Sequence, residues 1–164
     1  MAKKGAPSNE EYRASRGAAR LAAVQALYQM DLAATPLHEI LAEFASHWMG
    51  REVEGEQYHP AEADFFRDIV TGVVDEQRVL DPMIDTALAQ GWPLKRIETV
   101  LRAILRAGAY ELNKRNEIPA RVIVSEYVDV AHAFVGKDET GMINAVLDQI
   151  ARRLRAPEFD RVVG

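Results

Sequence analysis

Apolar residues recur at intervals of three and four along nearly the whole chain and no stretch alternates, so the pattern predicts helices and no strands. The strongest ladder is Ile97, Val100, Leu101, Ile104, Leu105, Gly108 and Leu112, a single face that marks a central helix. Earlier, Leu37, Ile40, Leu41, Phe44 and Trp48 outline a helix that Thr35 and Pro36 open and Gly50 ends. Residues 50–59 are polar and glycine-punctuated, which predicts a surface loop. Pro60 then opens a longer helix with Phe65, Phe66, Ile69, Val70, Val73 and Val74 facing inward, and Pro82 should kink or briefly break its continuation after Leu80. Gly91, Trp92 and Pro93 close that segment, and residues 113–117 form a turn. Ile118 and Pro119 start a helix carrying Val122, Tyr127, Val130, Ala131 and Phe134, which Gly136 ends. Asp138 is placed to cap a last helix with Met142, Ile143, Val146, Leu147 and Ile150 on its apolar face, and Arg152, Arg153 and Arg155 suit its C-terminal dipole. The expected architecture is an all-α, single-domain bundle of about six or seven helices over residues 9–155, with a flexible tail at 1–8 and a C-terminal tail at 156–164.

The first helix departs from a plain amphipathic pattern. At 100° per residue Arg13, Arg16 and Arg20 fall within about 60° of one another, and Val24, Leu27 and Tyr28 continue that stripe. A core does not accept unpaired guanidinium groups. The reading that reconciles the two halves packs the later turns and lets the earlier ones overhang, holding the three arginines outward as a ridge for phosphate. Ser8 with Glu11 can form a capping box, Ser15 is a competing start, Gly17 weakens the early turns, and the helix should end near Ala34.

The 164 residues suffice for one core without a staple, and the absence of cysteine excludes disulfides and thiolate chemistry and suits a reducing compartment. No apolar run approaches the ~20 residues of a membrane span and Met1-Ala2-Lys3-Lys4 leads into no signal-peptide core, so a cytoplasmic protein is expected. The net charge of −5 is unevenly spread. Residues 31–94 hold thirteen acidic and three basic residues, whereas 95–121 hold seven basic and three acidic ones. Such polarity suits an anion on one face and a basic protein on another, although an ordinary solvated surface gives the same counts.

Catalytic chemistry finds no footing. His38, His47, His59 and His132 are scattered at no metal-ligand spacing, so no metal or other cofactor is expected. Ser15, Ser46 and Ser125 stand in no nucleophile elbow, and Gly136-Lys137-Asp138 lacks the first glycine of a phosphate loop because Ala131 occupies it. Glu52, Glu54 and Glu56 read as loop solvation. Glu126 and Asn144 lie within apolar helices, where they should fix helix contacts through hydrogen bonds. No catalytic residue is assigned.

Binding is better supported. Arg13, Arg16 and Arg20 offer guanidinium groups to phosphates, while Tyr12 and Tyr28 on the same helix are placed to stack on splayed bases. Phe134 is a second candidate platform, with Lys137 available to phosphate and Asp138 to a base edge. Plain core packing is the alternative for Tyr28 and Phe134.

In order and spacing, RGAARLAAVQALYQ at 16–29, FFRDIVTGV at 65–73, LRAILRAGAYEL at 101–112, IPARVIVSEYVDVA at 118–131 and MINAVLD at 142–148 resemble the NusB family of bacterial transcription antitermination factors. The resemblance covers about residues 12–155 and implies a small all-helical, non-enzymatic protein that pairs with NusE, a ribosomal protein, and binds the single-stranded boxA element of nascent RNA. It also implies an indirect link to elongating RNA polymerase, which reads through terminators, notably in ribosomal RNA operons. Carried onto this chain, the RNA surface implied by the family falls on Arg16, Arg20, Tyr28, Phe134 and Asp138. NusE is implied to dock on the middle helices, where Asp75, Asp81 and Asp85 are the candidate contacts for a basic partner.

The family commonly carries adjacent arginines where this chain has Gly17 and Ala18, which shifts weight onto Arg13, Lys3, Lys4 or the protein partner. Two rival readings follow: the NusB-like domain of a ribosomal RNA cytosine methyltransferase, which requires a cofactor domain beyond Gly164, and a protein-interaction module without RNA binding. The resemblance leaves a homodimer, with the arginine helix covered, beside a monomer.

Overall fold

The ladder that begins at Ile97 becomes the helix on which the others pack. In the computed structural model, which describes residues 9–53, 60–88 and 96–160, α4 (Thr99–Lys114) touches helices on every side and buries an unbroken run from Ala107 to Leu112. Around it lie α1 (Asn9–Ala33), α3 (Pro60–Ala87), α5 (Ala120–His132) and α6 (Lys137–Leu154), while α2 (Leu37–Val53) leans on α1 and α3 and α7 (Ala156–Phe159) closes one end. No strand occurs among the described residues. The all-α expectation therefore holds, at the upper end of the expected helix number.

Small residues set the closest approaches. A methyl group added at Gly108 would lie 2.8 Å from Leu147, which lets α6 press against α4. One added at Gly72 would lie 2.2 Å from the Tyr110 ring, which crosses α3 there and donates its hydroxyl to Asp68 at 2.9 Å. α1 ends where Ala34 takes the left-handed conformation (φ 52°), and α2 is held to α3 by Phe44 stacked on Phe66 at 4.8 Å.

Several local expectations are corrected. Pro82 does not break α3; the carbonyl it deprives of a donor belongs to Arg78, and both residues lie on the exposed side of the helix, where an unpaired carbonyl is not sealed from solvent. α2 runs through Gly50 to Val53, so Gly50 does not end it and residues 50–53, expected in a loop, are helical; Glu54, Glu56 and His59 lie outside the described residues, as do Gly91 to Pro93. Val74 and Val122 are exposed. The cap of α6 is Gly136 rather than Asp138, and Thr140 donates its hydroxyl to the Gly136 carbonyl at 2.8 Å. Asn144 is exposed in the open groove between α5 and α6 rather than buried, and makes none of the expected hydrogen bonds to a neighbouring helix.

The C-terminal boundary also moves. Residues 156–159 are helical, and Arg155 is buried with its guanidinium donating to the carbonyls of Leu112 (2.8 Å), Arg115 (2.8 Å) and Ile118 (3.0 Å). These carbonyls lie at the end of α4 and in the turn after it, and only the Arg115 carbonyl also accepts a backbone N–H there, that of Ile118 at 3.0 Å. Arg155 complements a helix C-terminus as expected, but that of α4 rather than of its own helix. Glu158 completes the clasp by accepting from Arg155 at 2.8 Å and from the Ala120 N–H at 2.9 Å, so it caps α5, whose N-cap Pro119 has no side-chain bond to offer.

Candidate nucleic-acid interface

Exposure falls steadily along the arginine stripe of α1. Arg13 is exposed, Arg16 is half-buried and Arg20 is 2% exposed, so the boundary between overhang and packed helix falls before Arg20 rather than after it. Arg16 lies over the Tyr12 ring at 4.6 Å and the Phe65 ring at 4.7 Å and forms no ion pair among the described residues. Two aromatic rings thus hold a charged, partly accessible fork, a geometry that suits phosphate or a base edge.

Arg20 is not part of that ridge. Its Nε and Nη2 donate to the two oxygens of Glu111, each at 2.9 Å, and Glu111 is 0% exposed. Tyr127 on α5 donates its hydroxyl to the same carboxylate through a short hydrogen bond, and Glu126 Oε2 lies 3.8 Å from Arg20 Nη1. Burial alone would lower the Arg20 pKa, but the hydrogen bonds and charge of Glu111 override it and raise it, so the guanidinium stays charged. For Tyr127, burial and then the Glu111 charge push the phenol well above its ordinary value, which keeps it a donor. The expectation that Arg20 projects toward phosphate is overturned, because both edges of its fork are committed inside the fold. Glu126 does bridge α5 to α1, but as a half-buried ion-pair partner of Arg20 rather than through the expected hydrogen bond.

Phe134 follows the end of α5 and is half-buried against the core, with Lys137 and Asp138 exposed on the first turn of α6 beside it in sequence. Tyr28 is 36% exposed, which leaves its ring available, but it lies three turns beyond Arg16, about 18 Å along the axis. Lys3 and Lys4 lie outside the described residues. The structure therefore brings Tyr12 and Arg16 together and keeps Tyr28 apart from them.

On the acidic side, Asp81 accepts both nitrogens of a bidentate bond from Arg106 at 2.9 Å, with Asp31 on the same guanidinium at 3.2 Å. That pair consumes the charge offered to a basic partner, so Asp81 is corrected to an internal brace. Asp85 is exposed and adds its field to Arg106. Asp75 is exposed in a shallow groove between α3 and α4 that also carries Asp64, Asp68, Glu76 and Lys114. Of the three acids, Asp75 keeps its charge clearest of internal pairing.

A family model described as the NusB family matches residues 17–152. The chain belongs to the NusB family. It is 67% identical over 159 residues to a transcription antitermination protein NusB of Rhodopseudomonas palustris, covering 97% of this chain and 94% of that one. It is 65% identical to the NusB of Bradyrhizobium diazoefficiens, covering 97% and 96%. Among solved structures, T. maritima NusB superposes with a TM-score of 0.74 at 26% identity, covering 88% of this chain and 96% of that chain. A complex of antitermination factors NusB and NusE with double-stranded RNA contains a chain of the same fold, with a TM-score of 0.71 at 23% identity, covering 85% and 98%. The matched family span starts at Gly17, so Tyr12, Arg13 and Arg16 belong to the N-terminal part in front of it. Among the described residues no helix is long and apolar enough to cross a membrane, and no cluster of His, Asp or Glu is arranged to hold a metal ion.

Sequence reasoning passed over Glu111, the acid that binds Arg20. A signal was present: Glu111 sits three residues after Gly108 on the apolar ladder of α4, and a carboxylate in that register needs a buried cation.

Proposed function

We propose that this NusB-family chain is a transcription antitermination factor that acts with NusE to bind boxA RNA of nascent transcripts and promote read-through by RNA polymerase, notably in ribosomal RNA operons. The observation that carries this reading is near-full-length identity of 67% with a transcription antitermination protein, together with an arm on α1 where Tyr12 and Arg13 are exposed and Arg16 is half-buried. RNA contact is assigned to Arg13, Arg16, Lys137 and Asp138, with stacking on Tyr12, Tyr28 and Phe134. NusE is assigned to the acidic side near Asp75 and Asp85. The protein catalyses no reaction, uses no cofactor and works in the cytoplasm.

Three phosphate contacts at ~0.7 counterions each predict that a fourfold rise in salt weakens single-stranded RNA about 20-fold. Arg16→Ala should remove about 0.7 from that salt slope, and anisotropy titrations of boxA RNA across a salt series, with and without NusE and against a duplex of the same sequence, measure it. An unchanged slope in Arg16→Ala would remove the arm from the interface. Phe134→Ala should lose ~1–3 kcal/mol of RNA binding if a base stacks there, with little loss of thermal stability. A fall in melting temperature without an RNA defect would make Phe134 a core residue. The burial of Arg20, beside Gly17 and Ala18, leaves fewer outward cations than the family pattern and favours RNA binding that depends on NusE. Retained NusE binding with no RNA shift in either condition would favour the interaction-module reading.

A further inference from the structure

We infer that Glu111 is a positioning residue for RNA binding, one buried carboxylate that sets the direction of the α1 arm and of the α5–α6 corner at once. The inference rests on the RNA-binding reading above.

Near the arm the fully buried α1 seam is built of small residues around Arg20, with Leu21 and Ala22 only partly buried beside it. Its buried residues up to Val24 are Ala19, Arg20 and Ala23, and Gly17 lies at the edge of the packed region with only Glu126 Oε2 near, 3.9 Å from where a methyl group would sit. Methyl groups present a smooth surface along which a helix can turn. The planar Arg20 fork, bonded through two nitrogens to a carboxylate anchored on α4, does not permit turning. A rotation of about 20° would carry a tip at the outer radius of the helix through roughly 2 Å, enough to break a bidentate contact. Arg16 lies one turn before this clamp and Arg13 two turns before it.

The same carboxylate accepts from Tyr127, so α5 is referenced to the same point. Phe134 lies seven residues beyond Tyr127, followed by Lys137 and Asp138. Phe65 adds a shared wall: its ring has Arg16 at 4.7 Å and Arg20 at 5.1 Å, so the clamp and the arm meet on one aromatic face. Two groups of RNA contacts, far apart in sequence, thus take their geometry from one acid that RNA cannot touch.

The test exploits a sign. If Arg20 were itself a phosphate ligand restrained by Glu111, Glu111→Gln would free a cation and remove a negative charge beside the RNA, and binding would strengthen. As a positioning residue, Glu111→Gln weakens boxA RNA about tenfold, the equivalent of re-ordering two long side chains during binding. The salt slope stays at the wild-type value because no phosphate contact is deleted, and NusE affinity is unchanged at temperatures well below melting. Tyr127→Phe keeps the Arg20–Glu111 pair, cuts only the α5 link, and gives a smaller loss of the same kind; it decides the matter if Glu111→Gln does not fold. Unchanged or stronger RNA binding in the folded variant overturns the inference. Failure of the wild-type chain with NusE to bind boxA overturns the RNA reading instead.

Discussion

Replacement of Arg155 by Ala is expected to be the most damaging single change away from the interface, lowering stability by ~3–5 kcal/mol, a large part of the ~5–15 kcal/mol that holds a domain together. Its guanidinium is buried and bonds the carbonyls of Leu112, Arg115 and Ile118, with a longer 3.4 Å approach to that of Glu111. Truncation orphans the Leu112 and Ile118 carbonyls, leaves those of Arg115 and Glu111 with only their backbone N–H donors, and frees Glu158 from the cation that holds it over the N-terminus of α5. A chain of this size should drop in melting temperature on the order of 10 °C, as followed by circular dichroism. Arg153→Ala is the control: Arg153 is exposed on the same helix and should change stability by less than ~0.5 kcal/mol. Equal effects from the two substitutions would show that only charge near the C-terminus matters.

The clasp also carries a pH dependence. The Ala120 N–H and the Arg155 guanidinium hold the Glu158 carboxyl below its ordinary range. A carboxyl depressed on folding contributes stability that is present above its unfolded pKa and lost as pH falls through the folded value. The contribution should therefore fade as pH drops below ~4.3, and Glu158→Gln should lack this part of the acid transition.

Gly72→Ala should destabilise by ~2–3 kcal/mol, even though Ala is the better helix former by about 1 kcal/mol. The new methyl group would lie 2.2 Å from two carbons of the Tyr110 ring. That ring is 7% exposed and tethered by its hydroxyl to Asp68, which Arg115 also engages at 2.8 Å, so it has no room to withdraw. Burial, with the hydrogen bond and charge of Asp68, raises the Tyr110 pKa and keeps the hydroxyl a donor. Gly141 is the counterpart: it is exposed on α6 with nothing within 4 Å of an added methyl group, so Gly141→Ala should stabilise by ~0.5–1 kcal/mol. Removing the ring in Gly72→Ala/Tyr110→Ala should cost less than the sum of the two single changes, a coupling that denaturant titrations would resolve. Additive costs would mean the ring and the methyl group never meet.

Much of this molecule was legible as a linear pattern. The ladder from Ile97 to Leu112 became the central helix because its 3.6-residue period shows on a single strip of chain, and the later turns of α1 packed as Val24 and Leu27 required. Arg13 and Arg20 had the same standing in that pattern, yet one is solvated and the other sealed. Only Glu111, ninety-one residues further on, separates them. Asp81 lost its place on a partner surface to Arg106 in the same way, and Asn144 stays exposed because α5 and α6 leave an open groove where it stands.

Sequence alone determined the helical class, the central element, the family and the presence of a cation-rich first helix, since each is written in local periodicity or in motifs of contiguous residues. Tertiary structure alone decided which arginines remain outside, which acids escape internal pairing and that residues 156–159 pack as a helix. Those outcomes depend on partners that burial brings together from distant positions, because a charge enters a low-dielectric interior only where an opposite one is already waiting.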